Sequence, residues 1–211
     1  MKGLLWLLVW GITFGYIEAA VVVYLREIYY PEGFTFPLVP IPGRIMWTEI
    51  GREAATLVIM SATVMLAYKR PQSRMAAFAV LFGVWDILYY VFLRLILGWP
   101  QSPQTWDILF LIPAPWAAPV WAPMLVSAGL IAGGTAVLVR NHKGHHMTFG
   151  RGFVWAELAA ALLIVISFLV PGASVAETGA PEPFPWPLFL AGTLVGVGTF
   201  VRALLETPQG A

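Results

Sequence analysis

The chain contains no cysteine among its 211 residues, which excludes a disulfide scaffold and any metal centre built on thiolates. Charge is scarce too. Twelve Lys and Arg with eleven Asp and Glu make up 11% of the residues, where a soluble domain carries about 25%. Histidine occurs only as His142, His145 and His146, outside every apolar run, which argues against haem or copper held by imidazoles within a membrane. No basic face suits nucleic acid, and no stretch alternates as a barrel strand does. What is present is apolar: 59% hydrophobic residues, mean hydropathy +0.79, 10 Trp and 7 Tyr. Soluble and disordered classes are therefore excluded, and a polytopic membrane protein with the lipid bilayer as its first partner remains.

About 20 helical residues cross roughly 30 Å of hydrocarbon, and six segments reach that length: about 4–25, 46–68, 75–97, 116–139, 153–171 and 186–204. The expected fold is all-α, a six-span bundle forming one integral domain over residues 1–211. The first apolar run is too long for a signal peptide's core and lacks an A-x-A site. Both termini look too short to carry a soluble domain. With the N-terminus inside, Lys2, Lys69, Arg70, Arg74, Arg140, Lys143, Arg151 and Arg202 lie inside, against Arg26, Arg44, Arg52 and Arg94 outside. Eight against four predicts cytoplasmic termini in a multi-pass protein of the cell (inner) membrane.

The stretch Trp106–Ile112 is apolar but too short to cross, and Pro113, Pro115, Pro119 and Pro123 interrupt the helix after it. It is expected to form a short outer-leaflet helix, 106–112, before a broken entry to span four. The pairs Gly11/Gly15, Gly129/Gly133 and Gly192/Gly196 give small-residue faces for packing within the bundle, or for a homodimer or membrane-protein partner. The strings Trp85-Asp86-Ile87-Leu88-Tyr89-Tyr90 and, over 105–116, TWDILFLIPAPW resemble strings in an uncharacterised family of bacterial polytopic membrane proteins. That resemblance implies no activity.

The chemistry available is carboxylate chemistry. Glu18 lies roughly 4–5 Å outward of the middle of span one, Asp86 near the centre of span three, and Glu53 in the outer half of span two. Glu49 is one turn above Glu53 on the same face, and Arg52 borders that face. Asp107 sits at the outer boundary. Arg94 is two turns outward of Asp86, with Tyr90 between them. A central ionisable group costs about 2.5–3.5 kcal/mol on insertion, so such groups face a partner, the bundle interior or a wet cavity. Convergence would give an acidic cavity open to the outside, with Arg52 and Arg94 as counter-charges.

The same acids would serve equally as ties between helices: Glu49 or Glu53 to Arg94, and Asp86 to Tyr89 or Tyr90. Glu157 is expected at the inner interface or paired with Arg151, and the histidines in a solvated basic loop. No G-x-S-x-G, H-E-x-x-H or nucleotide-binding loop occurs; the sequence names no cofactor, and a metal would have to be held by carboxylates alone. The leading expectation is a small transporter or conductance protein for protons, cations or a small polar solute. An accessory or assembly subunit of a membrane complex is the alternative, and an intramembrane enzyme using carboxylates the second.

Overall fold

The structure, a computed structural model, describes residues 2–206. Six helices carry the chain: α1 Lys2–Tyr29, α2 Gly43–Ala67, α3 Pro71–Leu97, α4 Trp121–His142, α5 Arg151–Thr178 and α6 Trp186–Glu206. The shortest, of 21 residues, extends about 31 Å at 1.5 Å per residue. All six are long and apolar enough to cross a membrane, and the fold is the expected all-α six-span bundle. Large apolar side chains such as Trp6, Leu66 and Leu194 point outward from it, as they do where lipid is the solvent. Pro71 opens α3, where its missing N–H costs nothing, and Gly98 and Gly179 close α3 and α5 with left-handed φ of 68° and 76°.

Helix α3 is the hub. It packs against α1, α2 and α4, while α5 and α6 pair with each other. The α3–α4 approach is close enough that a Cβ on Gly83 would stand 2.5 Å from the Ser127 carbonyl oxygen. An apolar cluster including Leu7, Met60, Val64, Leu81, Val84 and Leu138 fills the half of the bundle near the α2–α3 turn. We call that end the turn side and the opposite end the hairpin side.

The hairpin is a correction to the sequence reading. Residues 106–112 do not form an outer-leaflet helix. Trp106–Phe110 is a strand, β1, paired antiparallel with β2, Trp116–Pro119. Span four consequently starts at Trp121 rather than 116. The turn of this hairpin descends between α2 and α5. The amide of Leu111 reaches Glu53, ten residues or about 15 Å along α2 from its start. Pro115 meets Gly172 of α5, six residues or about 9 Å from that helix's end.

Irregular backbone at such depth persists only when its polar groups are satisfied. Ladder bonds, the Glu53 carboxylate and the absence of any N–H at Pro113 and Pro115 meet part of that demand. Helix α5 also runs through Pro171 to Thr178 instead of ending at 171, and Gly172 beside it leaves the notch that the hairpin turn enters.

The glycine faces are used within the chain. Gly11 and Gly15 abut Val84, Trp85 and Leu88 of α3, Gly192 and Gly196 abut Ala160 of α5, and Gly133 faces Phe200. Gly129 alone of the six has open space around it.

Candidate functional site

A cavity of about 590 Å³ lies on the hairpin side between α1, α2, α3, the hairpin and the end of α5. Of the charged and polar residues singled out in the sequence, Glu18, Glu49, Arg52, Glu53, Asp86, Tyr90 and Asp107 all line it. Three spans and the hairpin thus deliver five carboxylates to one concave surface. Trp85 and Phe110, which belong to or pack on the apolar cluster around Leu81 and Val84, also line the cavity.

Arg52 is the first organising cation. Its guanidinium forms an ion pair with Glu18 of α1, and it holds Glu49 through Nε at 2.9 Å and Nη2 at 2.8 Å. The Glu49 contact is the i,i+3 pair that helical spacing sets up. The Glu18 contact crosses from α2 to α1, and Thr56 donates weakly to the other Glu18 oxygen at 3.5 Å. Glu53, one turn below Glu49, accepts the Leu111 amide at 2.8 Å. Asp86 accepts the Ser127 hydroxyl of α4 at 2.8 Å. Glu18 and Glu49 thus share one guanidinium, Glu53 is held by a backbone amide and Asp86 by a hydroxyl.

The second cation is Arg26, which the sequence reading counted only as an outer-side charge. Its Nη2 stands 3.0 Å from Asp107 Oδ1, and both side chains are more than nine-tenths buried. Its guanidinium also lies over Trp99, 3.5 Å from the ring centroid, and 4.5 Å from that of Phe34. A desolvated cation between rings gains about 2 kcal/mol or more, which offsets part of the cost of burying it. The Tyr90 hydroxyl is directed at the same Asp107 carboxyl. Arg26 Nη1 and Asp107 Oδ2 have no hydrogen-bond partner of good geometry among the described residues. Burial pushes the Asp107 carboxyl up to about 6, while Arg26, the Ile108 amide and Tyr90 pull the other way.

Several expected pairings are corrected. Arg94 does not join the cavity. It is exposed and donates to the carbonyls of Gly98 and Pro100, with the Pro100 bond at 3.0 Å, so it closes the end of α3 instead of balancing Glu49 or Glu53. Tyr90 serves Asp107 and not Asp86, which turns to Ser127. Glu157 accepts from Thr199 of α6 at 2.5 Å in place of Arg151. Trp99 is buried against Arg26.

Arg26 was findable, because Glu18, Val22, Leu25, Arg26 and Tyr29 recur at helical spacing toward one face. Ser127 and Thr56 carried no such signal. Among the described residues no group of three or more His, Asp or Glu side chains is spaced to hold a metal ion. The chain matches no family model, no curated protein and no solved structure.

Proposed function

We propose that this protein is a small membrane transporter whose cavity takes up a proton, a cation or a small polar solute from the hairpin side. One observation carries the reading. Glu18, Glu53 and Asp86, contributed by three different spans, converge on one cavity, and an apolar cluster fills the bundle between it and the turn side. Ionisable groups are expensive at that depth and mark ion and proton pathways in membrane proteins. By the excess of basic residues on the turn side, the cavity faces outward and both termini are cytoplasmic.

In this reading Asp86 and Glu18 are the exchanging groups and Glu49 and Glu53 form the vestibule. Arg52 and Arg26 set the field that a cation meets. A site closed on one side requires a conformational change to release its load on the other. The element placed to move is α2. It packs mainly on α3, and on the hairpin side it is also tied by the Arg52–Glu18 pair, the weak Thr56–Glu18 bond and the Glu53–Leu111 bond. Protonation or cation binding at Glu18 or Glu53 weakens those ties, which couples loading to release.

The test is flux into proteoliposomes holding the purified chain, followed with a pH-sensitive dye and with labelled monovalent cations under an imposed gradient. Wild type is expected to conduct, and Asp86→Asn and Glu18→Gln to lose most of that flux while still reconstituting. Flux that survives both substitutions overturns the assigned roles. No flux from wild type, with a second membrane protein co-purifying, replaces the transporter by an assembly subunit.

A further inference from the structure

A second cavity, of about 950 Å³, lies at the turn side and shares no residue with the first. Its walls are the start of α1, the α2–α3 turn and the end of α4. Lys69, Arg70, His142 and Lys143 line it, and no carboxylate does. Its inner surface is apolar, from Leu4, Ala67, Leu138 and Val139. Arg70 is engaged by His146, which also meets Asn141. The side chains of Lys69, Lys143 and His142 make no hydrogen bond or ion pair with other described residues.

Helix α3 begins at this cavity without a side-chain cap. The unpaired amides of its first turn and its dipole therefore point toward the same space. Ser73, in that first turn, is held by Asn141 of α4 at 3.1 Å, and Gln72 by the Met147 carbonyl at 2.7 Å, so the rim is braced from both sides.

Basic residues that served only to orient the chain would do so from any position in the short loops. Here they surround one concave space with an apolar inner wall at the level of the helix ends. We infer that this cleft binds the phosphate headgroup of an anionic phospholipid, with Lys69, Lys143 and the α3 N-terminus facing the phosphate and the Leu4–Leu138 surface against an acyl chain. Basic pockets between membrane helices are suited to such headgroups. The proposal does not depend on what the acidic cavity carries.

The experiment compares the full chain in phosphatidylcholine nanodiscs with the same discs containing phosphatidylglycerol, by melting midpoint and by lipid retained in native mass spectrometry. The expected result is a midpoint raised by several degrees and retained phosphatidylglycerol. Both are expected to vanish in Lys69→Gln/Lys143→Gln, whose midpoint in phosphatidylcholine stays at the wild-type value. Arg44→Gln, on the opposite side, should keep the gain. Equal midpoints in the two discs, or a gain that survives the double variant, overturn the proposal. Inorganic phosphate added to phosphatidylcholine discs should give no gain, and an equal gain from it would reassign the cleft to a soluble phosphate. If the double variant fails to fold, retention of phosphatidylglycerol over phosphatidylcholine by wild type decides.

Discussion

Glu53 of α2 accepts the backbone amide of Leu111 at 2.8 Å, so a carboxylate inside one span terminates the hairpin that descends from another part of the chain. A buried amide left without an acceptor costs about 1–3 kcal/mol. Glu53→Leu should therefore destabilise the protein by that amount, whereas Glu53→Gln keeps a carbonyl oxygen in place and should cost much less. Melting in detergent separates the two, and equal losses would remove the hydrogen bond as the reason Glu53 is held there.

Arg26 and Asp107 make the most deeply buried ion pair described. Removing one partner of such a pair strands the other charge and typically costs about 3–5 kcal/mol. Arg26→Met and Asp107→Leu should each reach that range. The double variant, with both charges gone, should be clearly more stable than the sum of the single losses implies. Additive losses in this cycle would show that Arg26 is held by Trp99 and Phe34 and not by Asp107.

The membrane class and the six spans were legible because transfer free energy is summed over about 20 residues and tolerates local error. The convergence of Glu18, Glu53 and Asp86 was legible for a related reason: buried acids at that cost have few places to go. The hairpin was not. Trp106–Phe110 is a short apolar run, for which periodicity does not separate strand from helix. Its state is decided by pairing with Trp116–Pro119 across a turn broken by two prolines, and by the notch at Gly172, which is remote in sequence. Arg26 and Arg94 present the same difficulty. Each is an arginine near the hairpin-side end of a span, and the ring of Trp99 from the loop after α3 draws Arg26 inward. Arg94 instead finds carbonyl acceptors at the end of its own helix.

The Asp107 carboxyl, pushed up to about 6 by burial from an ordinary 3.8, makes stability fall as pH rises. The folded state favours the protonated form. The contribution is therefore complete below about pH 3.8, declines between there and about pH 6, and is flat above. Wild type should lose stability relative to Asp107→Asn across that window and run parallel to it at higher pH. Midpoints of both proteins at closely spaced pH values test this, and parallel curves throughout would assign the titration elsewhere.

Gly172 decides whether the hairpin can enter the bundle. A Cβ at this position would lie 1.8 Å from the Pro115 carbonyl oxygen, 2.6 Å from its carbon and 3.2 Å from the Cα of Trp116. All three are backbone atoms, so no rotamer change relieves the contact, and the turn must withdraw. Withdrawal would also draw the Leu111 amide from Glu53. Gly172→Ala should therefore destabilise by about 1–3 kcal/mol or more, although alanine is the better helix former by about 1 kcal/mol. Gly198 in α6 meets nothing within 4 Å of an added Cβ, and Gly198→Ala should be neutral or stabilising. Because the hairpin forms one wall of the acidic cavity, the same Gly172 variant should also lose whatever binding or flux depends on that wall. A Gly172→Ala protein as stable as wild type would mean that the turn does not seat against α5.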